Sequence, residues 1–188
     1  MTSHDIELPS PPSFRNIPQM TQYSGYSSHV GWSFLEEHIR LQGPTLNLDP
    51  DFQRAHVWTE EKQIQYVEHR LRGGHGAIDL WFNCPAYAYG RLDDYVLVDG
   101  KQRLEAVRKF MRSELTVFGK HRFQDFVDRP DRLHMHNFVW HVNTLATRAE
   151  VLQWYLDLNT GGVVHTAQEI HRVRRLLTEE LQRQGRDQ

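Results

Sequence analysis

Apolar positions before Ser33 follow no sustained period. Residues 1–30 carry Pro9-Ser10-Pro11-Pro12 with Phe14, Tyr23 and Tyr26 around it, and are expected to form an irregular N-terminal arm. Ser33 with Glu36 is a capping box and predicts a helix that ends near Gly43-Pro44. Thr45-Leu46-Asn47-Leu48 reads as a short strand running into the turn Asp49-Pro50-Asp51. Thr59 opens a second helix, in which Ile64, Val67 and Leu71 share a face and Gly73-Gly74 is the stop.

The pattern then changes period. Residues 77–82 and Tyr95-Val96-Leu97-Val98 read as buried strands, with residues 84–91 as a loop between them. Asp99-Gly100 breaks the second strand, and Leu104, Val107, Phe110 and Met111 mark one face of the next helix. Residues 114–118 and 137–142 give weaker strand patterns. Thr147 with Glu150 and Thr166 with Glu169 are further capping boxes, opening two helices separated by Leu158-Asn159-Thr160-Gly161-Gly162. Regular strand–helix alternation is lost in the second half. The chain is therefore expected to be α+β, one domain over residues 31–188 that ends in two helices.

Composition narrows the class. With 39% hydrophobic and 24% charged residues, the 188-residue chain is composed like a globular protein. No apolar run is long enough to span a bilayer, and residues 1–8 lack a basic-then-apolar secretory pattern. Cys84 is the only cysteine, so no disulfide forms within the chain, and a cytoplasmic location is expected. The formal charge of −2 gives no global basis for nonspecific nucleic-acid affinity. The 12 histidines make the charge sensitive to pH.

The chemistry concentrates where the strand ending at Val98 meets a helix. A helix N-terminus offers unpaired N–H groups and partial positive charge, which suits phosphate. Gly100 permits close backbone approach, and Lys101 and Arg103 add full charges. Asp99 is placed to cap the helix, orient Arg103 or hold a metal ion. Taken alone, the same residues also suit an ordinary turn with solvated cations, and they do not form a Walker A loop. A second segment, Phe52-Gln53-Arg54 with Trp58, leads from a strand end into a helix. Arg54 either reaches into a cleft there or serves as a surface ion-pair partner, and the two aromatics either pack in the core or stack on a base.

Taken in order, Phe52-Gln53-Arg54, Trp58, a helix, a buried strand and Val98-Asp99-Gly100-Lys101-Gln102-Arg103-Leu104 resemble the DGQQR-motif family. That family supplies the N-terminal domain of GmrSD-type modification-dependent restriction proteins and belongs to the ParB/sulfiredoxin superfamily. The resemblance covers residues 46–118, with a weaker echo at Leu158-Asn159-Thr160-Gly161-Gly162. It implies a ParB/sulfiredoxin-like mixed sheet with flanking helices and a C-terminal helical segment. It also implies binding, and often hydrolysis, of a nucleoside triphosphate with Mg²⁺. Gly100, Lys101, Gln102, Gln53, Arg54 and Trp58 would bind the nucleotide, and Asp99 and Arg103 would act in catalysis. Lys101 departs from the family pattern, which has glutamine there. Sulfiredoxin chemistry is set aside, because it needs a cysteine in that turn.

The implied settings are restriction, defence or phage biology, with DNA, a separate nuclease or effector protein, or a second copy of the chain as partners. Other constellations are weaker. His134-Met135-His136, with His121 and His141, matches no zinc motif and no HNH nuclease module, and no metal site is assigned. His171, Arg172, Arg174 and Arg175 suit either DNA phosphates or a solvated face braced by Arg175 and Glu179. Val173, Leu176, Leu177 and Leu181 give that helix an apolar stripe for the core or for a second chain.

Overall fold

Among the described residues, four short strands make one mixed sheet in the order β1-β4-β2-β3: β1 (Tyr26–Gly31), β2 (Asp79–Asn83), β3 (Val96–Asp99) and β4 (Asn137–Asn143). The structure is a computed structural model and describes residues 17, 20–23, 25–53, 58–127, 136–160 and 167–186. β4 runs antiparallel to β1 and parallel to β2, and β2 runs antiparallel to β3 with a register shift between Trp81 and Phe82. The helices are α1 (Leu35–Leu41), α2 (Glu60–Leu71), α3 (Lys101–Met111), α4 (Arg148–Thr160) and α5 (Ala167–Gln184). The class is α+β.

Two compact units divide the chain. The larger is Gly25–Ala146, with the sheet and α1 to α3; the second joins the described residues before Gly25 to the segment from Thr147 onward. In the larger unit, alternation sends Leu80, Phe82, Phe138, Trp140 and Val142 into the core, where Val67, Leu104, Val107 and Phe110 meet them. Each such side chain contributes about 1.5–3 kcal/mol when fully buried. Trp140 stacks on Phe82 with centroids 3.8 Å apart, and its Nε1–H donates to the Tyr95 hydroxyl at 2.7 Å. The opposite face of the sheet is more polar, carrying Ser27 and His29 on β1, Asp79 on β2 and His141 on β4.

Several local expectations hold. Thr59 caps α2 by accepting the Lys62 N–H, and α2 and α3 follow the predicted apolar faces. The Thr147/Glu150 box forms in both directions, at 2.9 and 3.2 Å. In the second unit α4 packs on α5, and the Thr21 N–H donates to Asp157 at 2.8 Å. The Thr166 box lies outside the described residues.

Other expectations are corrected. Ordered structure begins before Ser33, because Tyr26–Gly31 forms β1. This edge strand holds Ser27, Ser28 and His29, which hide the alternation. The Ser33 box does not form: Ser33 sits inside a 3₁₀ turn, Trp32–Phe34, and Glu36 is taken by Arg108 at 2.6 Å. Residues 45–48 make only an isolated bridge from Asn47 to Val96, before the Asp49 N–H turns back onto the Asn47 side chain. Residues 114–118 are not a strand either. Positive φ at Ser113, Phe118 and Gly119 folds them into a turn closed by Val117 and His121, while Leu115 and Val117 still reach the core.

Candidate functional site

β3 ends at Asp99, Gly100 turns, and α3 begins at Lys101 with no intervening loop. Gly100 has φ +106°, and a Cβ there would lie 2.5 Å from Leu80 Cδ2 and 3.1 Å from the Asp79 carbonyl oxygen. The position needs glycine for both conformation and space. The Gly100 carbonyl then accepts the Leu104 N–H at 2.9 Å, so the helix is regular from its first turn. That first turn carries the partial positive charge of the helix end.

The two cations of the turn are held by different partners. Arg103 Nη2 donates to Asp99 Oδ2 and to the Asp79 carbonyl, each at 2.8 Å. Its Nε–H is buried with no hydrogen-bond partner among the described residues. Lys101 instead forms an ion pair with Asp49, from the turn before Phe52. Asp49 is mostly exposed while the lysine side chain is largely covered, so the carboxylate caps the ammonium from the solvent side. The sequence placed Asp49 in a turn without linking it to Lys101.

Gln53 and Trp58 close on this turn from the other segment. The Gln53 side chain, buried, donates through Nε2 to the Leu97 carbonyl of β3 at 2.7 Å. The Trp58 N–H donates to Gln102 Oε1 at 3.0 Å. Phe52 is a core residue, which decides against base stacking for that ring. Trp58 is half-buried: its ring meets Tyr66 edge-on at 5.4 Å, and Lys62 Nζ sits 5.3 Å from the ring centroid. Arg54 lies outside the described residues.

The sequence did not point to Tyr66 and Arg70, one helical turn apart on α2. Arg70 donates to the Gly74 carbonyl, Tyr66 to the Ala77 carbonyl at 2.7 Å, and Arg103 to that of Asp79. The chain from the end of α2 to the first residue of β2 is thus gripped by three side chains. Burial pushes the Tyr66 phenol up to about 12, while the Arg103 and Arg70 guanidiniums pull it the other way. Arg70 is itself buried, and its Nε–H also lacks a partner among the described residues. Beside the turn, a groove of about 430 Å³ is lined by Lys101, Glu105, Arg108 and Lys109 of α3 and by Leu48 and Asp49.

The remaining candidates separate. His121 lies against the Phe126 ring, His136 against Trp32, and His141 bonds Asp79 and Ser27, while His134 is outside the described residues. No group of three or more His, Cys, Asp or Glu is placed to hold a metal ion among the described residues. Cys84 is buried, its thiol pushed up by that burial, and it donates to the Asp93 carbonyl. On α5, Arg175 pairs with Glu179 at 3.7 Å, and Val173 is buried while Leu181 is exposed. No helix among the described residues is long and apolar enough to cross a membrane. No family model matches the chain, and neither curated proteins nor solved structures give a significant match.

Proposed function

We propose that this chain binds a nucleoside triphosphate at the β3–α3 turn, as a cytoplasmic protein of the DGQQR-motif, ParB/sulfiredoxin-like type acting in a DNA-related process such as restriction, defence or phage biology. The observation that carries the reading is the joining of the two segments, by Gln53 on the Leu97 carbonyl and Trp58 on Gln102, around a glycine turn with Lys101 and Arg103. The phosphates would sit at the N-terminal end of α3, where the first-turn N–H groups and the partial positive charge of the helix face an anion. Arg103 keeps a buried Nε–H without a partner among the described residues, and Lys101 places a second cation beside the turn; both charges suit an anion. Mg²⁺ would arrive with the nucleotide, Asp99 being the carboxylate of the turn nearest to serve it. Bound there, the metal would supply charge neutralisation to the phosphates.

Two outcomes of binding are open to this site. In the first the protein is an NTPase or phosphotransferase. Phosphate takes Arg103 as its partner, which releases the Asp99 carboxylate to orient a nucleophile or the metal. In the second the nucleotide is a ligand that gates contacts with DNA, an effector protein or a second copy of the chain. The 2.8 Å Asp99–Arg103 pair favours the second, since it leaves the only carboxylate in the turn engaged rather than poised as a base. The test is calorimetric titration of ATP, GTP, CTP and UTP with Mg²⁺ on the wild type and on Arg103→Ala. Binding that vanishes in the variant supports the site, and phosphate release then separates enzyme from switch. No binding to the wild type at millimolar nucleotide ends the reading.

A further inference from the structure

A second polar cluster lies on the sheet face opposite the core. Its members come from three strands. Ser27 on β1 stands directly across from His141 on β4, and Asp79 on β2 lies diagonal to it. The Ser27 hydroxyl is 2.7 Å from His141 Nδ1, and Asp79 Oδ1 is 2.8 Å from His141 Nε2. Trp81, the direct neighbour of His141 on β2, stacks on the imidazole at 3.9 Å and 12°, which fixes the plane of the ring. The histidine side chain is 13% exposed and Asp79 is 45% exposed, while Ser27 reaches solvent.

Hydrogen-bond chemistry assigns the protons. An ionised carboxylate only accepts, so the Asp79 contact places the imidazole proton on Nε2. Nδ1 then presents its lone pair to Ser27, whose O–H donates. This is the order hydroxyl, imidazole, carboxylate that activates a serine for attack. The two ring nitrogens are exchanged relative to the usual arrangement, but each performs the same role. Sheet pairing holds all three side chains on rigid strands rather than on loops.

We infer that Ser27 is a nucleophile activated by His141, with Asp79 as the positioning residue, and that its substrates are carboxylic esters with a good leaving group. Ser27 Oγ bonds to the ester carbonyl carbon while its proton passes to His141 Nδ1. The C–O bond to the leaving alkoxide breaks, and that oxygen departs as an alcohol with the proton from Nδ1. Water, deprotonated by the same nitrogen, then attacks the acyl-serine, frees the carboxylic acid and restores Ser27. This site shares no side chain with the nucleotide turn, which meets Asp79 only at its backbone carbonyl.

The experiment is labelling of the full chain with a fluorophosphonate, which forms a P–O bond to the serine and loses fluoride. Peptide mass spectrometry then locates the adduct. The expected result is one adduct on Ser27, absent in Ser27→Ala. His141→Gln should label at least about 100-fold more slowly, the scale on which a general base acts. Asp79→Asn should slow labelling too, and ¹⁵N spectra of the His141 ring should show its proton leaving Nε2, a change that mere support of the sheet would not produce. Hydrolysis of p-nitrophenyl acetate should fall in the same order. Absence of an adduct on Ser27 in the folded wild type overturns the inference, as does labelling that His141→Gln leaves at the wild-type rate.

Discussion

Trp58 and Gln102 are 44 residues apart in the chain, yet the Trp58 N–H donates to Gln102 Oε1 at 3.0 Å. The bond joins the residue before the α2 cap to the first turn of α3. Gln63 adds a second tie by donating to the Trp58 carbonyl at 3.1 Å. The entrance to α2 is therefore pinned at both backbone polar groups of one residue, and the glycine turn is braced by both segments at once.

Gln102→Ala leaves the Trp58 N–H without that acceptor. Loss of a partner for a partly buried donor costs about 1–3 kcal/mol. Urea denaturation should show that loss, and nucleotide titration should weaken in parallel. Unchanged binding with reduced stability would make the tie architectural only.

Asp49→Asn removes the charge that holds Lys101. The carboxylate side of the pair is open to solvent, which screens it, so its loss should cost no more than about 1 kcal/mol of stability. With that negative charge gone, nucleotide affinity should rise about two- to fivefold, as read by calorimetry. Equal affinities would place Lys101 outside the ligand's reach.

Gly100→Ala meets both a φ of +106° and the contacts to Leu80 and Asp79. Destabilisation of more than about 1 kcal/mol is expected in thermal melts. Replacement of the exposed Gly119, also at positive φ but with open space around it, should cost less.

His38 and His136 are both held below the usual imidazole range by burial, with the Arg70 charge adding to the effect on His136. The unfolded chain binds protons at these sites more readily than the folded one. Their contribution is complete above the ordinary histidine range and is lost as pH falls through it. The melting temperature should drop between about pH 7 and 5, and His136→Gln should flatten that slope.

Tyr95→Phe keeps the ring that packs edge-on against Phe82 but removes the acceptor for Trp140 Nε1–H. Both residues are fully buried, so a loss of about 1–3 kcal/mol is expected from chemical denaturation. A neutral result would mean that another acceptor reaches the indole.

Features encoded over a few neighbouring residues were legible in advance. The caps at Thr59 and Thr147, the apolar faces of α2 and α3, and the strand–glycine–helix at Val98-Asp99-Gly100 all depend on short-range geometry. Features that depend on distant partners were not. β1 has a weak pattern of its own and becomes a strand through its pairing with β4. Glu36 had the spacing of a cap but found a stronger partner in Arg108, whose guanidinium reaches it through two nitrogens. Of the site, Gly100, Lys101 and Arg103 could be read from the sequence. The Asp49 partner, the grip on residues 74–79 and the Ser27–His141–Asp79 cluster depend on folds of the chain that no local period records.

The strand order also governs how the molecule comes into being. β4 lies between β1 and β2, although among the described strands it is the last in chain order. Ser27 must wait for His141, 114 residues later, before its strand has a neighbour. Until then β1 has no place in the sheet, and its backbone groups wait for β4 while the intervening residues are made. Assembly is accordingly non-local and slow relative to a helical protein of this size. A chain ended before Asn137 would retain α2, α3 and the glycine turn but lose the strand that joins β1 to the β2–β3 pair, so a fragment built only around that turn gives up the centre of the sheet it rests on.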